Sequence, residues 1–153
     1  MPHSQPPVAD LDSKYRPGLE AQLETGEELR GLCIGAQQKG LFKGGSAVIG
    51  VTGRRLLLQP LDRRGNADGA AQSILPEQIA SAKAGGAGAE WFNVYAGIMD
   101  HAAVQLQIRT TAGEKLKLTL MRGKDRVFGG LGGGEPQRHG LEALADWFRG
   151  IER

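Results

Sequence analysis

The chain has 153 residues, of which 40% are apolar and 24% are charged, and its formal net charge is +2. A chain of this length and composition is typical of one globular domain that buries its own core. Its one cysteine, Cys33, excludes an internal disulfide and favours a reducing compartment. No stretch approaches the roughly 18 apolar residues that a membrane span needs, and the polar N-terminus lacks the pattern of a signal peptide, so we expect a cytoplasmic protein.

The N-terminal part of the chain is rich in proline and polar residues. Four prolines within residues 1–18 predict a flexible arm, followed by a single domain over residues 19–153. Leu19 and Leu23 share one face of a helix, which predicts a short helix at residues 18–24.

From Leu29 the pattern becomes that of short strands separated by turns. Thr52-Gly53 lies between two β-rich runs and favours a hairpin, and Pro60 marks the end of a strand. The predicted strands in this part of the chain are Leu29–Gln37, Ala47–Thr52, Arg54–Leu61, Ala70–Leu75 and Ile79–Ala84.

The strongest strand signal is the alternation over residues 103–121. Apolar residues alternate with polar ones on both sides of a turn that contains Gly113, which predicts an antiparallel hairpin with one apolar and one polar face. Because a slip by one residue would turn every aliphatic side chain to solvent, we expect a firmly set register. The apolar set is Val104, Leu106, Ile108, Leu116, Leu118 and Leu120, and Lys115, Lys117 and Arg109 belong to the polar set.

Two later segments have helical spacing. Pro136 suits a first helical turn, and the apolar residues that follow it predict an amphipathic helix at residues 137–151 that covers the sheet. Residues 89–102 predict a second, short amphipathic helix inserted between strands. Its apolar stripe consists of Trp91, Val94, Tyr95 and Ile98, with Phe92 beside it.

The order of strands, a long hairpin and a terminal helix resembles a bacterial pleckstrin-homology-like (PH-like) domain. The residues that resemble the family are Gly26–Leu29, Gly50–Leu58 and Ile74–Ile79. The resemblance implies a mainly β (α+β) fold, a strongly bent antiparallel sheet or partly open barrel of about seven strands closed by the C-terminal helix. It implies no catalytic chemistry.

Motifs for catalysis, metals and cofactors are not found in the sequence. The glycine-rich connector at residues 128–135 lacks the Lys-Ser/Thr pair of a phosphate-binding loop, and Glu135 would repel phosphate. The three histidines are far apart, and Cys33 has no His or Cys at ligand spacing. We therefore expect a non-catalytic interaction module without a metal or cofactor.

The apolar stripe of the 89–102 segment has two interpretations. It packs in the core, or it forms an exposed patch that binds a protein partner or a second copy of the chain. The leading hypothesis is protein binding or self-association through Trp91, Phe92, Val94, Tyr95 and Ile98. Membrane insertion is disfavoured, because the polar side of this segment offers acidic residues to an anionic surface.

The basic charge supports an alternative function. It concentrates in residues 31–64 and 103–128, whereas the rest of the chain is acidic. The resemblance implies that Lys39, Lys43, Arg54 and Arg55 lie where lipid-binding relatives hold a phosphorylated head group. The alternative is therefore a module that binds an anionic lipid or phosphate ligand at a membrane surface. Nucleic acid is disfavoured, because aromatic residues are not interleaved with these charges.

Overall fold

The computed structural model describes residues 11–37, 45–62, 64–85, 91–100, 103–121 and 134–151. These residues form three α-helices, α1 (Leu11–Glu20), α2 (Val94–Asp100) and α3 (Gly134–Ile151), and a 3₁₀ turn at Pro76–Gln78. They also form eight strands: β1 (Leu29–Gln37), β2 (Ser46–Thr52), β3 (Leu56–Pro60), β4 (Gln72–Ile74), β5 (Ile79–Gly85), β6 (Trp91–Phe92), β7 (Ala103–Thr110) and β8 (Lys115–Met121).

All described strands belong to one antiparallel sheet with the order β4-β3-β2-β1-β8-β7-β5-β6. β1 joins its two halves, because it pairs with β2 over most of its length and with β8 at Gly35–Gln37. The sheet does not close, since β4 and β6 lie at its two edges. The predicted mainly β (α+β) class with a C-terminal helix on the sheet is confirmed. β6, which has two residues, brings the strand number one above the expected seven.

The β7–β8 hairpin has the register that its alternation predicts. Val104 lies opposite Leu120, Leu106 opposite Leu118, and Ile108 opposite Leu116. All six side chains are buried on one face of the sheet.

The main core lies between this face, hereafter the inner face, and helices α2 and α3. Leu141, Leu144 and Phe148 of α3 are fully buried against it, and Trp147 meets the Phe148 ring edge-on with 5.1 Å between centroids. The predicted helix at 137–151 is thus present and begins three residues earlier, at Gly134.

Helix α1 covers part of the opposite, outer face of the sheet. Its Tyr15 and Leu19 are buried against β1, β2 and β3, in an apolar cluster separate from the main core. The Tyr15 hydroxyl also donates a hydrogen bond to the carbonyl of Gly65 at 2.6 Å. The flexible arm predicted for 1–18 is therefore helical and packed from Leu11 onward, because α1 has two buried anchors. Residues 1–10 lie outside the description.

The 89–102 segment is not one continuous helix. Trp91 and Phe92 pair with Gly85 and Ala84 as β6, and α2 begins only at Val94. Asn93 interrupts the helix, because its side chain accepts a hydrogen bond from the Ala96 amide at 2.8 Å and so caps the first turn.

Helix α3 also completes the edge of β1 where β8 diverges from it. The buried side-chain amide of Gln137 accepts a hydrogen bond from the Ile34 amide at 2.8 Å and donates one to the Ile34 carbonyl at 3.0 Å. It thus takes the place of β8 beside Ile34, whose other neighbour in the sheet is Val48 of β2.

We expect Gln137→Ala to lower the free energy of unfolding by about 2 kcal/mol, because it leaves a buried backbone amide and carbonyl without partners. Urea unfolding followed by circular dichroism measures the change. Glu142→Ala, an exposed position on the same helix, is the control and should unfold near the wild-type midpoint. Equal midpoints for the two variants would contradict the bridging role of Gln137.

Candidate binding surface

Of the four basic residues that the resemblance implied as an anion site, the structure describes Arg54 and Arg55, and each forms an ion pair with a glutamate of the chain. Lys39 and Lys43 lie outside the description. Arg54 is exposed and forms an ion pair with Glu24, at 2.7 Å between Nη1 and Oε1.

Arg55 is bound internally by a carboxylate. Its Nε and Nη2 atoms donate to the two carboxylate oxygens of Glu27 at 2.9 and 2.8 Å. Its guanidinium also donates to the Gln22 carbonyl and the Ser73 hydroxyl, both at 3.2 Å. The Thr52 hydroxyl donates to Glu27 at 2.9 Å. Arg55 therefore joins the turn before β1 to β3 and β4, and its guanidinium makes four hydrogen bonds for its five N–H donors.

The electrostatics of this pair agree with a structural role. Hydrogen bonding to Arg55 is the main cause that lowers the pKa of Glu27 to about 2, against burial, which acts in the opposite direction. The same hydrogen bond raises the pKa of Arg55. Both groups are thus charged at any physiological pH, and an external anion would have to displace Glu27 from Arg55.

The residues of the apolar stripe in the 89–102 segment have different surroundings. Val94 and Ile98 are fully buried in the main core. Tyr95 is half-buried, and the Arg149 guanidinium lies over its ring, 4.8 Å from the centroid. The side chains of Trp91 and Phe92 lie outside the description. Protein binding or self-association through this segment stays a prediction, and it now depends on these two residues.

A basic surface lies on the outer face of β5, β7 and β8. We define it as Ser81, Lys83, Gln107, Arg109, Lys115 and Lys117 and call it the basic face. The strand register arranges these residues in two rows: Ser81–Arg109–Lys115 and Lys83–Gln107–Lys117. The four cationic side chains and Ser81 are exposed, and Gln107 is half-buried. Directly opposed residues have Cβ atoms about 5 Å apart, so the opposed cations Arg109 and Lys115 are close neighbours.

Arg109 and Lys115 form a like-charged cross-strand pair. Such pairs destabilise a sheet when they are directly opposed, as these two are. None of the ion pairs among the described residues includes Arg109, Lys115 or Lys117. The closest acid in sequence, Glu114, accepts a hydrogen bond from the Gln72 side chain at 3.3 Å. The arrangement weakens the sheet locally and presents positive charge to solvent.

A shallow depression of about 200 Å³ lies within the basic face. Ile108, whose side chain is buried on the inner face, contributes to its lining. The other lining residues are Ser81, Lys83, Gln107, Arg109 and Lys115, all of which have hydrogen-bond donors in their side chains. Lys117 belongs to the same face but not to this depression.

A second groove, of about 300 Å³, lies between α3 and the start of β1. Its rim mixes Arg30 and His139 with Glu142 and Asp146, and the His139 ring contacts the Arg30 carbonyl at 3.1 Å. Opposite charges along one rim give this groove no clear preference for an anion or a cation.

Reactive groups are few in the part of the chain that the structure describes. No group of three or more His, Cys, Asp or Glu residues there is placed to hold a metal ion. Burial raises the pKa of Cys33 to about 12, so this thiol stays protonated and unreactive. None of the described helices is long and apolar enough to cross a membrane.

Four of the six residues of the basic face follow from the sequence. The alternation over 103–121 placed Gln107, Arg109, Lys115 and Lys117 on one polar face. It could not add Ser81 and Lys83, because the β5–β7 pairing joins residues that are far apart in sequence.

Comparisons with known proteins give a fold and no family. No protein-family model and no curated protein matches the chain. The hSac2 domain from the human phosphoinositide phosphatase Sac2 has a similar fold, with a TM-score of 0.52, 8% identity, and coverage of 90% of this chain and 77% of that one. The C-terminal domain of an unknown protein from Leishmania infantum gives a TM-score of 0.44 at 17% identity, over 77% of this chain and 87% of that one. At this identity, the likeness to the hSac2 domain concerns the fold alone.

Proposed function

We propose that this chain is a non-catalytic, PH-like interaction module that attaches to an anionic membrane surface through the basic face of β5, β7 and β8. The observation that carries the proposal is the directly opposed pair of cations Arg109 and Lys115, with Lys117 beside them, on an exposed sheet face. Arg109, Lys115 and Lys117 have no ion-pair partner among the described residues, so their charge is available to an external anion.

The two halves of the outer face differ in a way that supports this surface. Over β1, β2 and β3 the outer face carries a buried apolar cluster that α1 covers. Over β5, β7 and β8 the outer side chains are mostly polar and are exposed or half-buried. Of the two halves, as far as the structure describes them, it is the second that presents a group of exposed cations. Each Lys or Arg near an anionic bilayer contributes about 1 kcal/mol, so Arg109, Lys115 and Lys117 together give reversible, salt-sensitive attachment.

The fold supports the same class of partner. The resemblance implies a strongly bent antiparallel sheet or partly open barrel closed by a C-terminal helix, and an unclosed antiparallel sheet with α3 on it is compatible with such a fold. The hSac2 domain, whose fold is similar, comes from a protein named as a phosphoinositide phosphatase, and phosphoinositides are anionic lipids. We therefore favour a lipid surface over a protein partner.

The proposal predicts that the purified protein sediments with phosphatidylglycerol vesicles at low salt. The double variant Arg109→Gln/Lys117→Gln should bind about 30-fold more weakly, because it removes two cations at about 1 kcal/mol each. Added salt should abolish the difference, since it screens exposed charges.

The matched control removes the same charge elsewhere. Arg54→Gln/Arg64→Gln neutralises two exposed arginines of the first basic region, residues 31–64, and it should bind vesicles like the wild type. A loss of binding in this control and not in the basic-face variant would refute the proposed surface. No sedimentation of the wild-type protein with anionic vesicles would refute the function.

A further inference from the structure

The depression in the basic face differs from the rest of that face in its chemistry. Ser81, Arg109 and Lys115 lie side by side in one row of the sheet, and Lys83 and Gln107 lie in the next. The lining combines three cations with a hydroxyl and an amide, and contains no acid. Diffuse attraction to a charged surface needs cations alone. Neutral donors beside the cations add directional hydrogen bonds to a particular group.

From this arrangement we infer that the depression is a subsite for one phosphomonoester group on a lipid head group. The inference rests on the proposed function, because it names what the same face recognises. A volume of about 200 Å³ is below that of pockets for drug-sized ligands and suits one small anionic group.

A phosphomonoester matches these donors better than a phosphodiester does. It has a charge of about −1.5 to −2 at neutral pH and three acceptor oxygens. The Arg109 guanidinium is a planar fork that donates two parallel hydrogen bonds to such a group, and Lys115 adds a second cation directly opposite. A phosphodiester has one charge and two free oxygens, so it leaves some of these donors unused.

The surroundings disfavour nucleic acid as the source of the phosphate. Nucleic acids offer phosphodiesters, and proteins that bind single strands stack bases on aromatic side chains. No aromatic residue is present among the outer-face positions of β5, β7 and β8 that the structure describes.

The test compares two vesicle types of equal surface charge. Phosphatidic acid presents a phosphomonoester and phosphatidylglycerol a phosphodiester, each mixed into phosphatidylcholine. We expect the wild-type protein to bind phosphatidic acid vesicles about tenfold more tightly, the effect of one additional charge-assisted hydrogen bond. Because the second pKa of a phosphomonoester is near 6, this preference should fall as the pH is lowered from about 7 to about 5.

Two single variants separate the subsite from the diffuse charge. Lys115→Gln, inside the depression, should remove the preference for phosphatidic acid. Lys117→Gln, on the same face but outside the depression, should weaken binding to both vesicles equally and keep the preference.

A competition experiment with a soluble phosphomonoester identifies the source of the phosphate. Competition by glycerol phosphate supports a subsite that accepts the group free in solution, and its failure, with the preference intact, supports a subsite that reads lipid head groups only. Equal binding to both vesicle types, or equal loss of the preference in both variants, would overturn the inference and leave the proposed function standing. If the protein binds neither type of vesicle, both the inference and the proposed function are refuted.

Discussion

Replacing Gly140 with alanine is expected to destabilise the protein by more than about 4 kcal/mol, an effect among the largest seen for single substitutions. A Cβ atom at this position would overlap the backbone carbonyl of Leu32 in β1. This carbonyl cannot move aside cheaply, because Leu32 is buried and paired with Gly50 in the sheet. The variant must therefore shift α3 away from β1 and open the main core.

The same helix provides the control for this prediction. A Cβ atom at Gly150 would meet nothing within 4 Å, so Gly150→Ala should leave stability unchanged or raise it by up to about 1 kcal/mol through helix propensity. Urea unfolding of the two variants and the wild type gives the comparison. Closely similar midpoints for Gly140→Ala and Gly150→Ala would show that α3 does not lie against β1 as described.

Close approaches of this kind are a use of glycine that the sequence does not reveal. Gly113 lies in the β7–β8 turn with φ of 92°, as the pattern around it predicts. Gly140 and Gly97 instead let a helix touch a strand, since a Cβ at Gly97 would lie 2.6 Å from the Ala84 backbone. A single sequence does not distinguish these two uses, because the contact partner of each is far away along the chain.

The strands were predicted well where local alternation decides the structure. Leu29–Gln37 and the β7–β8 hairpin follow directly from their side-chain patterns. The sequence predicted a helix at residues 18–24, whereas α1 is Leu11–Glu20. The earlier start was missed because Tyr15, which is buried, lies between the charged residues Lys14 and Arg16 and so does not form an apolar pattern. The break at Asn93 was missed, because helical spacing continues through it.

The roles of charged residues are equally hard to predict from the sequence, because they depend on partners that are distant along the chain. Arg54 and Arg55 are adjacent in sequence, yet Arg54 is exposed and Arg55 is held by Glu27, 28 residues away. Two arginines that look alike in the sequence thus differ in the structure: Arg55 is held inside the fold and Arg54 is exposed to solvent. Their contacts in three dimensions are needed to tell them apart.

The second substitution with a large expected effect on stability removes one partner of the Glu27–Arg55 ion pair. Glu27→Gln should lower the free energy of unfolding by about 3 kcal/mol, the lower end of the range for removing one partner of a buried pair. The side chain of Glu27 is 2% exposed and that of Arg55 13%. The variant would leave the guanidinium largely enclosed without a counter-charge. Glu24→Gln, which breaks the exposed Arg54 pair, is the control and should change stability by less than about 1 kcal/mol.

The pH dependence gives an independent measure of the same interaction. The pKa of Glu27 is about 2 in the folded protein, below its ordinary value of 4.5. Because the folded-state pKa is depressed, the ionised carboxylate stabilises the fold fully above about pH 4.5, and this contribution disappears as the pH falls towards about 2. The gap in unfolding free energy between wild type and Glu27→Gln should therefore narrow over this range. A Glu27→Gln gap that stays constant from neutral pH to pH values near 2 would mean that Arg55 does not hold this carboxylate.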